Sequence, residues 1–333
     1  MSEPRFLVVR LVSLGDIVHT FPAVAGLRNS FPRAEIMWLT HPRWVNLVAS
    51  SALATEIWPV DSRDLASVRQ TIARIRTQNW DAAIDYQGLW KSALLPFLAR
   101  VPKRIGFSSE AIREFGVPIL YTDRVHPHAA HIADQNGELS VRAGAQIAVG
   151  SIKLQVNDID RQRVCSDLAA AGIDRYVVLS PGGGWRSKCW PPERFGELCQ
   201  KIRAELSIRC VINYGPGEET LAAAVKSASA SADPFLYGGE LGQLMALLQS
   251  AQCIVGGDTG PLHLAISLGT KGIAIFGPTN PARNGPYPPQ PFVLRDPAAD
   301  TTHKRESETN PALLKISVAQ VFDAVKRQVG APA

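Results

Sequence analysis

Short apolar runs of strand length alternate with longer segments whose apolar residues recur at helical spacing, and this alternation runs through most of the chain. Phe6 to Leu11 (FLVVRL) reads as a first strand, Ile17 to Ser30 as a helix, and Glu35 to Leu39 as a second strand. Leu65 to Gln78 has the pattern of an amphipathic helix, and Ala82 to Asp85 (AAID) that of a central strand. RIGF at Arg104 to Phe107 follows, and a polar stretch with His126, His128 and His131 leads into another helix. Near Ala148 the pattern restarts, with Ile152 to Val156 as an extended connection and Arg175 to Gly184 as a strand entering a glycine-rich turn. Arg209 to Gly215, Cys253 to Gly260 and Gly272 to Thr279 read as further strands, each with a loop at its carboxyl end. Asp300 to Asn310 is a polar surface loop, and Ala312 to Val329 a last helix. Repeated βα units predict parallel sheets, and two blocks of them predict two α/β domains. Open α/β sheets bind ligands outside the carboxyl ends of their strands, so two such halves facing one another would enclose a cleft.

Composition fits this picture: of 333 residues, 46% are apolar and 20% charged, enough for a sizeable core and two domains. No apolar run reaches the roughly 20 residues of a spanning helix. The N-terminal apolar run is broken by Arg10 and Asp16 with no small-residue cleavage site after it, so the expected location is cytoplasmic. Cys165, Cys189, Cys199, Cys210 and Cys253 are odd in number and lack ligand spacing, which supports neither a disulfide framework nor a structural zinc. The net charge of +5 suits anionic partners such as nucleotides, phosphorylated lipid or a membrane surface. No Lys/Arg run or aromatic-basic motif points to nucleic acid.

Five segments carry candidate chemistry. In PGGGWRSKCWPPERF, Pro181 to Phe195, the glycines admit a ligand close to backbone N–H groups and Lys188 adds a point charge; the pattern suits a phosphate, or simply a tight turn with a solvated lysine. In GGDTGPLHLA, Gly256 to Ala265, a helix start near Pro261 exposes unpaired N–H groups that suit a pyrophosphate, with Asp258 and His263 placed to contact a sugar or phosphate; alternatively, Asp258 or Thr259 caps the helix and His263 sits buried. Glu218 and Glu219 in NYGPGEET follow another strand end, where a carboxylate can accept from ribose hydroxyls or occupy a first helical turn. IDYQGLWKSALL displays Asp85, Gln87 and Lys91 around Gly88. In SLGDIVHT, Ser13 and Asp16 have capping-box spacing; a carboxylate at a helix start can also serve as a base, and Gly15 lets a substrate approach the backbone.

Taken together these residues resemble the lipopolysaccharide heptosyltransferases, inverting glycosyltransferases that use ADP-heptose on a GT-B fold, and are closest in form to heptosyltransferase I. SLGDIVHTFPA, IDYQGLWKSAL, SPGGGWRSKCWP, GGDTGPLHLA and FGPTNP occur in family order across nearly the whole chain. The resemblance implies two Rossmann-like domains, an acceptor-binding one over residues 1–160 and an ADP-sugar-binding one over 161–311, with a helix over 312–333 packing back toward the first. It makes Asp16 the base that takes the proton from the acceptor hydroxyl and Lys188 the cation that neutralises the leaving diphosphate. Gly183, Gly184, Thr259, Gly260 and His263 would line the diphosphate, Glu218 or Glu219 the ribose, and Asp258 the donor heptose. Ser13, Gly15, Gln87 and Lys91 would face the acceptor, the lipid-linked anionic Kdo region of the inner core. The scheme implies no cofactor and no metal, a chain that works as a monomer, and peripheral contact with the cytoplasmic face of the inner membrane. Two departures stand out: Gly183 and Gly184 replace hydroxyl side chains common before the lysine, and Arg10 replaces a lysine common in the first strand. A different ADP-sugar, a protein acceptor or a non-catalytic nucleotide-binding homologue are the alternative readings.

Overall fold

A computed structural model describes residues 3–146, 152–302 and 307–330. The restart expected near Ala148 and the 303–306 part of the polar loop lie outside the described residues. The chain divides into two compact units, Met1–Gln155 and Val156–Ala333.

The first unit is built on β1 (Arg5–Val9), β2 (Glu35–Thr40), β3 (Glu56–Pro59), β4 (Ala82–Asp85), β5 (Arg104–Phe107) and β6 (Asp123–Val125). They form one parallel sheet in the order β3-β2-β1-β4-β5-β6. Phe6, Leu7, Val8 and Val9 are all buried, so β1 reads as a continuous apolar run, as a strand covered on both faces must. The order reverses between β1 and β4, and a crevice opens at such a point because successive crossovers leave in opposite directions.

The helix expected over residues 17–30 is two helices, Leu14–Val18 and Phe21–Ser30. Pro22 stands in the first turn of the second, where its missing N–H costs nothing; in a continuous helix its ring would meet the carbonyl of Val18. The apolar periodicity runs unbroken across this point because both helices bury the same face.

The second unit holds β7 (Tyr176–Ser180), β8 (Arg209–Asn213), β9 (Phe235–Tyr237), β10 (Cys253–Gly257), β11 (Gly272–Phe276) and β12 (Phe292–Arg295). These pair in parallel in the order β12-β11-β10-β7-β8-β9, with the reversal between β7 and β10. Trp190, Phe195 and Ile202 pack with Val177 and Leu179 in its core.

The last helix also comes in two pieces, Pro311–Leu314 and Val318–Gly330. Ser317 and Gln320 restart it: the Gln320 side chain accepts from Ser317 N at 2.8 Å, and Ser317 Oγ accepts from Gln320 N at 3.3 Å. The carbonyl of Ile316, released at the break, accepts from Trp190 Nε1 at 3.1 Å and from Arg194 at 2.7 Å. Val321, Phe322 and Val325 enter the core of the second unit, and the helix packs on Pro192–Leu206. Its apolar face is thus committed to the second unit, where the resemblance pointed to the first.

Candidate active site

Each unit gathers its candidate residues at its own reversal point. In the first, β1 runs out through Arg10 to the Leu14–Val18 helix, and Asp16 sits in that helix's first turn with its side chain 48% exposed. Asp16 Oδ2 accepts from Ser13 Oγ at 2.8 Å and Ser13 N at 3.2 Å, so the carboxylate half of the expected capping box is present. Asp16 Oδ1 meets the Arg10 guanidinium at 2.8 Å. Arg10 is itself buried and donates to the carbonyl of Tyr86 at the end of β4, which fixes the direction from which it holds Asp16. The result is a carboxylate oriented by three donors and still open to solvent. Ser13 is exposed and Gly15 buried.

Gln87 does not face outward as an acceptor contact alone. Its Oε1 accepts from the backbone N–H of Leu11 at 2.7 Å and Val12 at 3.2 Å, tying the loop that carries Asp16 to the end of β4. Lys91 is exposed in the first turn of the Trp90–Leu98 helix. Beneath them Asp85 is fully buried and accepts from Gln87 N, Gly88 N, Ser92 Oγ and Tyr121 Oη. Burial drives its carboxyl pKa up against the opposing pull of those four hydrogen bonds.

In the second unit the ends of β10, β7 and β8 lie side by side. Lys188 Nζ pairs with Asp258 Oδ2 at 2.7 Å, with the two side chains only 12% and 9% exposed. His263 Nε2 lies 3.0 Å from Asp258 Oδ1, and the Trp185 ring lies under the lysine ammonium at 4.6 Å. Burial opposes ionisation of Asp258, but the His263 hydrogen bond and the Lys188 charge outweigh it and hold this carboxyl well below the usual range. Thr259 is the N-cap of the Gly260–Ser267 helix, yet its side chain makes no capping bond. Among the described residues neither Thr259 Oγ1 nor Ser187 Oγ, both buried, has a hydrogen-bond partner. Asp258 is therefore spent on Lys188 and His263 rather than on capping, and the helix start keeps unpaired N–H groups beside a cation, a combination that suits a phosphate.

Glycines bring the neighbouring loops in. A Cβ on Gly183 would stand 3.4 Å from the Thr259 methyl, and one on Gly257 would lie 2.9 Å from the carbonyl of Lys188. A Cβ on Gly184 would meet nothing within 4 Å. A Cβ on Gly182 would fall 2.2 Å from the Glu218 carboxylate, which also accepts from Gly215 N at 2.9 Å. Glu218 is thus folded over the end of β7, while Glu219 points out from the first turn of its helix and accepts from Gly217 N at 3.1 Å. Of the two candidate carboxylates, only Glu218 joins the cluster. Cys189 stands beside it; burial, reinforced by the Glu218 charge, pushes its thiol up to about 11 and keeps it protonated.

Sequence reasoning missed the partnerships of Arg10, Trp185 and Asp85. The signals were present: an arginine within an otherwise apolar strand, an aromatic three residues before the lysine, and a carboxylate closing a fully apolar strand. Among the described residues, no group of three or more His, Cys, Asp and Glu side chains is placed to hold a metal ion.

Known proteins share this architecture over the full length. The crystal structure of a glycosyl transferase family 9 protein from Veillonella parvula superposes with a TM-score of 0.84 at 22% identity, covering 99% of this chain and 98% of that one. The E. coli heptosyltransferase WaaC with ADP superposes at 0.76 with 24% identity, covering 97% and 99%. The two Rossmann-like α/β units thus have the GT-B fold of the heptosyltransferases. In sequence, lipopolysaccharide heptosyltransferase 1 of Pseudomonas aeruginosa is 28% identical over 298 residues, 85% of this chain and 81% of that one. The profile of glycosyltransferase family 9 (heptosyltransferase) matches residues 68–313, a span that takes in Gln87, Lys188, Glu218 and Asp258 and leaves Asp16 outside; the chain belongs to that family.

Proposed function

We propose that the protein transfers a heptose from ADP-heptose to the Kdo region of a lipid-linked inner-core acceptor of lipopolysaccharide, with inversion at the anomeric carbon. Family membership supports glycosyl transfer, and the relative's name supports the donor sugar and acceptor. The observation that carries the reading is the cluster at the start of the Gly260–Ser267 helix. There Lys188, held by Asp258, lies beside unpaired helix N–H groups and a glycine turn, with Glu218 one strand over.

In the proposed reaction the acceptor hydroxyl oxygen bonds to the anomeric carbon as the bond from that carbon to the β-phosphate oxygen breaks. Asp16 takes the hydroxyl proton, and ADP leaves with its new negative charge facing Lys188 and the helix N–H groups. Glu218 accepts from the ribose hydroxyls, and Asp258 and His263 turn toward the heptose and diphosphate. The positive charge comes from the chain itself, so transfer is proposed to need no metal. One chain supplies both base and cation, working at the cytoplasmic face of the inner membrane.

The test is transfer from ADP-heptose to a Kdo-terminated acceptor, read by mass spectrometry in the presence of a chelator, with the product anomer assigned by NMR. Asp16→Asn is expected to lower turnover by about a hundredfold or more while leaving ADP affinity within about twofold. Wild-type turnover in Asp16→Asn, or retention of configuration, would overturn the mechanism.

A further inference from the structure

We infer that the face made by the Trp90–Leu98 helix and the segment 112–119 docks on the surface of an anionic lipid bilayer. Phe115 is 99% exposed, Ile119 70% and Trp90 41%, with Phe97 and Leu98 also open to solvent. The segment lies against the helix: a Cβ on Gly116 would stand 3.2 Å from the Trp90 ring, and Ile119 N donates to the carbonyl of Gly116 at 3.2 Å. The helix and the segment share a small buried cluster of Ala93, Val117, Leu120 and Tyr121, with Leu94 and Ile112 packed against it, so the segment is firmly seated while Phe115 and Ile119 project. Scattered exposed apolar residues need no explanation, but aromatic and aliphatic side chains gathered on one seated face mark an interaction surface.

Charge selects the occupant. Between Trp90 and Arg124 the chain carries six cationic residues, Lys91, Arg100, Lys103, Arg104, Arg113 and Arg124, against three acidic ones, Glu110, Glu114 and Asp123. The Glu114 carboxylate is taken up by Trp90 N at 2.6 Å, and Arg124 is held at the patch by its bond to the carbonyl of Pro118 at 2.9 Å. Arg104 lies 5.5 Å from the centre of the Phe97 ring. Apolar side chains within a cationic surround match a bilayer with anionic headgroups, and a second copy of the face would set cation against cation. Among the described residues no helix is long and apolar enough to cross a membrane, so the contact is with the surface. The Trp90–Leu98 helix leaves the same sheet end that carries Asp16, with Lys91 next to Trp90. On the function proposed above, this brings a lipid-anchored acceptor to the base from the membrane that holds it.

The experiment is co-sedimentation of the full chain with vesicles of phosphatidylcholine alone or with about one phosphatidylglycerol in four. Wild type is expected to bind the anionic vesicles and to release as salt rises. Phe115→Ser with Ile119→Ser, both at exposed positions, should bind at least about tenfold more weakly. The same variant should keep its melting temperature and its transfer to a water-soluble, deacylated acceptor. No binding by wild type, or equal binding by the double variant, overturns the inference. So does a lipid-free dimer in equilibrium sedimentation that the double variant abolishes, since the face would then belong to a second copy. Vesicle binding that persists in a protein with no transfer activity leaves this inference standing and removes the proposed function instead.

Discussion

Replacing Asp258 by Asn probes the donor cluster most sharply, because in the free protein this carboxylate and the Lys188 ammonium neutralise each other at 2.7 Å. Asn keeps an oxygen for His263 but turns an amide N–H₂ toward the lysine, so two donors face one another. Breaking a buried pair by removing one partner costs about 3–5 kcal/mol. Here Lys188 is 12% exposed and retains the Trp185 ring at 4.6 Å, which lets the ammonium relax and reduces the expected cost to about 2–3 kcal/mol. For a unit of this size that is a fall of about 5–10 °C in the melting temperature of the second unit. Because the Asp258 carboxyl is held below its ordinary value of 3.8, the pair contributes its full stability above that pH and loses it only as pH falls further. The gap between wild type and variant should therefore be constant from about pH 5 upward and close in stronger acid. Saturating ADP should narrow the gap at neutral pH, since its diphosphate supplies the charge that Asn lacks. By the same argument ADP should bind the variant about tenfold more tightly, even as transfer slows. Calorimetric melting with and without ADP, together with isothermal titration, measures all of these. Equal melting temperatures, or weaker ADP binding by Asp258→Asn, would refute the claim that the carboxylate holds the lysine in reserve for a phosphate.

Gln87→Leu leaves the N–H groups of Leu11 and Val12 without their shared acceptor, a cost of about 1–3 kcal/mol to the first unit in denaturant melts. With the Asp16 loop loosened, kcat should fall more than KM changes. Glu218→Gln should weaken ADP binding by about tenfold in calorimetric titration, whereas Glu219→Gln, whose carboxylate only caps its own turn, should leave it unchanged. Asp85→Asn tests the buried carboxyl of the first unit, since Asn can still accept both backbone N–H groups while the two hydroxyls reverse to accept from its amide. Burial raises the folded pKa of Asp85, so wild-type stability should fall as pH climbs from about 3.8 toward neutrality while the variant stays flat over that window. Denaturant melts at several pH values read the difference, and parallel curves would count against it.

Positions at strand ends were legible in the sequence because a parallel sheet forces its polar loops to the carboxyl ends of its strands. Asp16, Gln87, Lys188 and Asp258 follow β1, β4, β7 and β10, the four strands that flank the two reversal points. Ser13 and Asp16 could be paired from their spacing alone, being three residues apart. The helix breaks at Pro22 and Ser317 were harder, since apolar periodicity reports which face is buried and continues across a break when two helices bury the same face. What each charged group binds was not legible, because it depends on strand order. Gln87 reaches the Leu11 amide across 76 residues, and Lys188 reaches Asp258 across 70, in each case because the crossover sets two distant strand ends side by side. The choice between Glu218 and Glu219 turns on a shorter-range effect of the same kind. Gly217, in the left-handed region at φ +86°, ends the turn so that the first carboxylate folds back over Gly182 and the second faces water. A lysine and an aspartate read separately as a phosphate contact and a helix cap are thus one ion pair, and an arriving diphosphate must compete with a carboxylate before it can use the cation. That competition is a property of neighbouring strands, and it is why the charge of the second unit's site has to be tested by removing the acid rather than the base.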